Sequence, residues 1–384
     1  MTQDLELVLI QTSPSQLDAP FYKRLHELSK GRIKVIIWND YGLVRKQVDP
    51  EMGVVPQFPV DENPYTVWID KSQYGVLGLW LHIVRCRSNY VLLQDQSLLV
   101  RATLAVLLRL GGHRVGMRSD KNRLSSNANS GWKWYFERLF IRGLFDFFAP
   151  VSRLTSEYYG LTSRTCDFPY CTDVAKFSPT EAERSMTRSR IRARLGVDKE
   201  AKVVLAVIKL NERENPLLVL ESFAQLNRSI RSAHLIVVGE GPLRRSVEER
   251  VDKLGLQNVS LPGYVRYASL HEYFFAADIL VHLPKYGPWE VSVPDAIAAG
   301  LGVVASKPVG SAHICMVDAA QEFITDSSSP EAIAGLLEKL CSADPREFFR
   351  RAGEIVNSEL SVEVVARRWC AMLERTDVDD ASGI

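Results

Sequence analysis

Residues 202–242 read KVVLAVIKLNERENPLLVLESFAQLNRSIRSAHLIVVGEGP. The apolar run at 202–208 has the length and composition of a strand buried on both faces. Pro216 opens a stretch of helical spacing that continues to Arg228, and a proline there costs little because the first-turn N–H groups have no partner inside the helix. A second apolar run, 233–238, closes on Gly239, Glu240, Gly241 and Pro242. Strand, helix and strand in this order predict a βαβ unit, whose crossover makes the two strands parallel.

The alternation continues outward in both directions. Downstream, the pattern predicts a helix over Leu243–Leu254 stopped by Gly255, a strand at Val259–Leu261, a helix at Leu270–Ala276 and a strand at Ile279–Leu283. A helix start follows at Asp295–Ala299, then a strand at Val303–Ala305. Upstream, a charged segment, 181–194, follows Phe177-Ser178-Pro179. The first half repeats the theme with strands at Leu5–Thr12, Ile33–Trp38, Tyr90–Gln94 and Val115–Arg118 and helices at Phe21–Leu28 and Leu98–Leu110. Ser119–Ser130 reads as a polar loop, and Gly131–Ala149 as one long aromatic-rich helix. Two α/β units in tandem are therefore expected, 1–178 and 179–360.

Length agrees: 384 residues suit two domains. Lys and Arg total 47 against 46 Asp and Glu, so no global charge calls for nucleic acid as a partner. The six cysteines are scattered without a C-x-x-C pair, which argues against a zinc site or a disulfide framework. The first residues carry no basic region ahead of an apolar one, and charges interrupt every apolar stretch before the roughly 20 residues of a membrane span. A cytoplasmic location is the expectation. An NAD-type enzyme would need G-x-G-x-x-G after a first strand, and neither 11–20 nor 209–216 contains it.

Ligands of open α/β sheets bind beyond the carboxyl ends of the strands, where helix N-termini offer free N–H groups to phosphate. Lys209 and Arg213 place two cations after the first strand of the second unit, suited to a diphosphate. Gly239 and Gly241 permit close approach of backbone to a ligand. The turn 285–290 (KYGPWE) leads into Ser292, Val293, Pro294 and Asp295. Ser292 or Val293 is positioned to cap the helix, and Asp295 in its first turn can accept two ribose hydroxyls.

Residues 203–340 resemble the nucleotide-sugar domain of retaining glycosyltransferases of family 4, with the GT-B fold. The resemblance lies in VLAVIKLNERENPLLVLESFAQL, AHLIVVGEGPLRRSVEERVDKLGLQNVSLPGYV, LHEYFFAADILVHLP and AIAAGLGVVASKPVGS. It implies two Rossmann-like domains facing a cleft, with the donor in the C-terminal one, and a helix near Val362–Glu374 (the segment 361–384) that crosses back to the first. It implies that Lys209 takes the place of a phosphate-binding arginine, that Tyr264 and Val265 lie at the nucleobase, and that Asp295 replaces the ribose-binding glutamate. The family signature is Glu, seven residues, Glu. Here Gly287 holds the first position, and Glu290 stands where the family has glycine. The family's second cation, a lysine, falls on Glu214, beside Arg213.

By the same resemblance Gly287, Val291 and Ser292 line the donor turn, while Glu290, Asp120 and Arg118 are the candidates for contact with the transferred sugar. Ser13, Ser15 and Gln16 in the loop after the first strand are the acceptor candidates. The implied activity is a metal-independent, retaining hexosyl transfer from a nucleotide diphosphate sugar, with no cofactor, to a glycan, lipid-linked or small-molecule hydroxyl in polysaccharide, glycolipid or natural-product glycoside synthesis. A nucleotide-sugar epimerase and a catalytically silent member of the fold are the alternatives. The stretch 131–149 interleaves Trp132, Trp134, Phe136 and Phe140 with Lys133, Arg138 and Arg142. That mixture suits peripheral contact with the inner face of a membrane as well as it suits a core helix.

Overall fold

The computed structural model describes residues 6–12, 15, 17–39, 63–125 and 128–381, with side chains through 374. These residues form two α/β units. One holds the described residues up to Cys171 and those from Ser361 onward; the other is Thr172–Leu360.

The sheet of the first unit contains β1 (Leu7–Gln11), β2 (Ile33–Trp38), β3 (Thr66–Ile69), β4 (Tyr90–Leu93), β5 (Arg114–Ser119) and β6 (Phe147–Pro150). Its order is β3-β2-β1-β4-β5-β6, and all pairs are parallel. Strand β1 is buried throughout. Leu7 and Leu9 join the core on one face, Val8 and Ile10 the core on the other, as the two-residue period of a strand requires. The helices are α1 (Ala19–Leu28), α2 (Lys71–Arg85, interrupted at Gly75), α3 (Leu98–Leu110), α4 (Gly131–Leu144) and α5 (Arg153–Tyr159). Helices α2, α3 and α4 each connect to a strand further along the same direction of the sheet. Right-handed crossovers therefore place all three on one face. Their Leu79, Ile83, Leu104, Ala105, Leu108 and Ile141 share the core of that face.

Two features depart from the sequence reading. Strand β3 and helix α2 carry too weak a pattern to be read: β3 has four residues, and Gly75 and Gly78 interrupt α2. The segment 131–149 is not one helix. Helix α4 stops at Leu144 and Phe147–Pro150 enter the sheet, pairing Met117 with Phe148. Asp146 fixes the break, because its carboxylate accepts the Val115 N–H at 2.9 Å and faces Arg109 at 3.2 Å.

The second unit begins with α6 (Val174–Phe177) and α7 (Glu181–Arg194). It continues with β7 (Val203–Val207), α8 (Pro216–Ser229), β8 (His234–Val238), α9 (Arg244–Leu254), β9 (Val259–Gly263), α10 (Tyr267–Ala276), β10 (Ile279–His282), α11 (Ser292–Ala298), β11 (Gly302–Ser306), α12 (Ala312–Cys315), β12 (Ile324–Thr325), α13 (Pro330–Ser342) and α14 (Pro345–Ile355). The parallel sheet runs β12-β11-β10-β7-β8-β9. The chain enters this unit at Thr172, a few residues before the expected position near 178. Phe177 packs edge-on against Phe274, 5.3 Å between ring centres, which ties α6 to the second core. The charged segment 181–194 is helix α7, opened by a capping box between Thr180 and Glu183. Its Arg188 and Arg192 clasp Asp278 at 2.7 and 3.0 Å, and Asp278 also accepts the Val203 N–H at the start of β7.

Helix α15 (Val362–Ala381) belongs to the first unit. Val365, Ala366, Trp369 and Leu373 enter the core beneath Leu7 and Leu9, and Arg24 of α1 pairs with Glu363.

Candidate active site at the rim of the second sheet

Strands β7 and β10 are neighbours, so the loops that follow them leave the sheet side by side. The Lys285 N–H donates to the Arg213 carbonyl at 2.8 Å and links the two loops. Asn215 ends the first loop in the left-handed region, with φ of 56°, and Pro216 starts α8. The second loop runs along 309–311. Gly287 bridges Val309, the Ser311 N–H donates to the Trp289 carbonyl at 2.7 Å, and the Ser311 hydroxyl donates to the Glu290 carbonyl at 2.6 Å. These bonds hold Glu290 at φ of 73°, a conformation costly for any residue with a Cβ. The family resemblance puts glycine there; this chain keeps a carboxylate in a backbone made for glycine.

That carboxylate lies over Gly287, so a Cβ at 287 would collide with the Glu290 side chain. It also completes a buried cluster. Arg213 donates to Glu290 Oε1 and to Glu214 Oε1, while His282, at the end of β10, has Nε2 3.3 Å from Glu290 Oε2 and 4.0 Å from Glu214 Oε2. Burial favours neutral His282, but the hydrogen bond and charge of Glu290, with Glu214 behind it, outweigh burial and raise its pKa. Burial likewise opposes the charge of Glu290, yet His282 and Arg213 hold its pKa down to about 2. Glu214 is raised, by burial first and by Glu290, against the charges of His282, Arg213 and Lys209. With His282 protonated, two cations balance two carboxylates. Glu214, His282 and Glu290 offer ligand atoms within 4.8 Å of one another, a set able to hold a divalent cation. Arg213 already donates to both acids.

Arg213 is thus engaged with both acids and with the Tyr286 carbonyl. Lys209, partly exposed just past β7, lies at the same rim, and its charge reaches Glu214. Gly239 and Gly241 have a different reason from the expected one. A Cβ on either would strike the Ile208 or Leu210 carbonyl, because 208–210 zips onto this turn through Ile208 N–H to Val238 O and Leu210 N–H to Glu240 O. Tyr264 and Val265 follow β9 at the same rim. Helix α11 starts at Ser292 but its N-cap is Val291, which offers no side-chain acceptor; Ser292 itself is buried.

Asp295 points inward. It is 4% exposed, and burial lifts its pKa to about 7 against the Thr172 hydroxyl and the Lys176 charge, with Asp173 adding to the rise. The unfolded chain releases this proton near 3.8 and the folded chain near 7, so folding loses stability as pH rises through that window. About three units correspond to roughly 4 kcal/mol. Asp295→Asn is therefore expected to raise stability by about 1–2 kcal/mol at pH 8, the amide recovering part of that limit, and to have little effect near pH 4. Urea midpoints at the two pH values check this; equal midpoints for both proteins at pH 8 would refute it.

In the first unit the structure separates the expected residues. Arg118 is a core residue: its guanidinium pairs with Asp18 through two 3.0 Å contacts, donates to Gln94 and to the Phe168 and Pro169 carbonyls, and stacks 3.8 Å from the Phe168 ring centre. With every donor of the fork directed inward, Arg118 is not available to a sugar. Asp120, one residue past β5, is mostly buried; burial raises its pKa, and Arg118 and the Tyr170 hydroxyl oppose the rise. Ser15 accepts the Asp18 N–H on its hydroxyl at 3.2 Å and the Ala19 N–H on its carbonyl at 3.1 Å, so it is spent on starting α1. Ser13 and Gln16 lie outside the described residues. His282 was not among the expected residues; its signal was a lone histidine closing an apolar run, ILVH.

Residues 187–355 match the model of the family described as "Glycosyl transferases group 1". The chain is 27% identical over 219 residues to a D-inositol 3-phosphate glycosyltransferase of Segniliparus rotundus, covering 55% of this chain and 47% of that one. It is 34% identical over 127 residues to a mannosylfructose-phosphate synthase of Agrobacterium fabrum, covering 31% and 28%. The chain thus spans about half, or less, of the length of these curated relatives. Among solved structures, Anabaena HepE in complex with UDP superposes with a TM-score of 0.74 at 14% identity, over 97% of this chain and 100% of that one. A sucrose-phosphate synthase from Thermosynechococcus elongatus gives 0.71 at 17% identity, over 98% and 100%. At these identities the likeness is one of fold.

Proposed function

We propose that this chain, whose residues 187–355 match the group 1 glycosyl transferases and which has the GT-B fold, moves a hexosyl group from a nucleotide diphosphate sugar to an acceptor hydroxyl with retention of anomeric configuration. The observation that carries the proposal is the rim cluster. The loops after β7 and β10 bring Arg213, Glu214, His282 and Glu290 together in one buried group at the rim that also carries Lys209, at the sheet edge where α/β folds bind ligands.

In this reading Lys209 stabilises the charge that grows on the departing diphosphate. Helix α11 adds little, being seven residues long. Glu290 stays ionised at every working pH and faces the donor sugar from the space above Gly287. It takes over, from three residues along, the carboxylate that the family signature puts at 287. Arg213 and His282 fix its orientation, so no reorganisation is needed as charge develops. Tyr264 and Val265 are the nucleobase side of the site. Asp295, buried as it is, positions α11 beneath the site. The names of two relatives point to phosphorylated partners, D-inositol 3-phosphate for one and mannosylfructose-phosphate for the other, and the neighbour HepE is in complex with UDP. The acceptor of this chain is a glycan, lipid-linked or small-molecule hydroxyl.

The test is product analysis with UDP-, GDP- and TDP-sugars and an acceptor panel, in the presence of a chelator. Transfer with retained configuration supports the reading. A second reading, a binder without turnover, is favoured by the acids at 214 and 290 where the family has lysine and glycine; nucleotide binding with no product on the whole panel would establish it. Lys209→Ala is expected to weaken nucleoside diphosphate binding by about 1–3 kcal/mol. Calorimetry showing wild-type affinity would move the diphosphate elsewhere.

A further inference from the structure

Fourteen large hydrophobic side chains are exposed on the described residues, and twelve of them sit on α2, α3 and α4. Helix α4 contributes Trp132, Tyr135, Phe136, Leu139 and Phe140, which recur at three- and four-residue spacing and form one stripe. Trp132 is 69% exposed and Phe136 61%. Helix α3 adds Leu98, Leu99, Val106 and Leu110; α2 adds Tyr74, Leu77 and Leu81. The same helices bury their opposite stripes against the sheet, so the outward apolar stripe is in excess of what the core needs. Helices α1 and α15, on the other face, are the control: their described residues show none of these exposed side chains and instead pair Arg24 with Glu27 and Glu363.

Charge identifies what the stripe fits. Among the cations on α2, α3 and α4, Lys71, Arg85, Lys133 and Arg142 are exposed, and the three helices carry a single acid, Glu137, in a chain whose net charge is +1. Glu137 is turned inward, held by Lys121 at 2.8 Å and by Asn129 and Tyr158. Lys133 and Arg142 are exposed among the aromatics. A second copy docked on this face would set cations against cations, whereas an anionic bilayer answers both features: its phosphates take the cations and its interface takes tryptophan and tyrosine. No helix of the described residues is long and apolar enough to cross a membrane.

We propose that the outer face of α2, α3 and α4 docks on an anionic lipid bilayer, with the α4 aromatics inserted at the interface and the flanking lysines and arginines on the headgroups. This enlarges the contact expected over 131–149 to three helices and excludes 147–150, which are strand. The surface does not depend on the transfer reading. The experiment is co-sedimentation of the full chain with vesicles of mixed phosphatidylglycerol and phosphatidylcholine, and of phosphatidylcholine alone. Binding to the anionic vesicles, weakened by salt, is expected. The triple variant Trp132→Ser, Phe136→Ser, Phe140→Ser is expected to lower the partition coefficient about tenfold or more while keeping the wild-type circular dichroism, since all three side chains are exposed. Lys133→Glu with Arg142→Glu is expected to act selectively on the anionic vesicles. No vesicle binding by the wild type, or binding indifferent to both variants, overturns the proposal. So does a wild-type dimer, by light scattering, that the triple variant abolishes in the absence of any vesicle binding.

Discussion

Glu290→Gln is expected to reduce turnover by about 10²–10³-fold while nucleoside diphosphate affinity stays near wild type. The substitution keeps size and shape and removes only charge. Glu290 is the ionised partner of the cluster, held near pKa 2 by His282 and Arg213. In the variant, His282 loses the hydrogen-bonded carboxylate that raises its pKa, and Arg213 keeps only Glu214. The proposed site then presents a neutral amide to the sugar instead of a fixed negative charge. Measuring kcat and calorimetric affinity on one preparation separates the outcomes. Unchanged turnover removes Glu290 from the mechanism; affinity and turnover falling together make it a binding residue.

A companion pair tests whether Glu290 occupies the place of the family's first acid. Gly287→Glu alone puts a Cβ into the Glu290 carboxylate and should be destabilising. Adding Glu290→Gly removes the obstruction and also the positive-φ side chain. The double variant should therefore be more stable and more active than the Gly287→Glu single variant. Such coupling is the signature of residues sharing one volume.

How far the sequence could reach is clear from particular segments. The second sheet was legible because its four central strands, β7, β8, β10 and β11, are apolar runs buried along nearly their whole length, and because Gly255 ends α9 in the left-handed conformation that only glycine takes at no cost. The stretch 144–149, LFDFFA, was not. Its aromatics suit a helix or a strand, and the choice is made by Asp146 accepting an N–H from Val115, 31 residues away. Gly239 and Gly241 were expected to admit a ligand to the backbone, and what sequence could not show is the chain's own 208–210 segment, whose carbonyls a Cβ at either position would strike. The rim cluster joins His282 to Glu214 across 68 positions, and no local spacing encodes such a pair. The family resemblance supplied the framework, and three reversals of expected type (an acid at 214, a glycine at 287, an acid at 290) become coherent only when their side chains are seen to meet.

The same non-local logic governs Arg118, which reads as a strand-end charge and proves to be the centre of a buried network. Arg118→Leu is expected to destabilise the first unit by about 3–5 kcal/mol, because it leaves Asp18 inside without its partner. Asp18 is 3% exposed, and Gln11, Tyr22 and Gln94 beside this pair are joined by hydrogen bonds through the Tyr22 hydroxyl, so the abandoned carboxylate would sit in a buried setting. Burial works against the Arg118 charge, and Asp18 more than compensates, raising its pKa. The double variant Arg118→Leu, Asp18→Asn should recover a large part of the loss, since the charge that needed a partner is gone. Urea unfolding at constant m-value measures both. Arg118→Lys separates structure from chemistry. An ammonium cannot reproduce the two-point contact with Asp18, the three other acceptors or the stacking on Phe168, so most of the loss should remain. Wild-type stability in Arg118→Lys with a collapse of turnover would return Arg118 to the reacting sugar; lost stability, with turnover per folded molecule preserved, keeps it in the core.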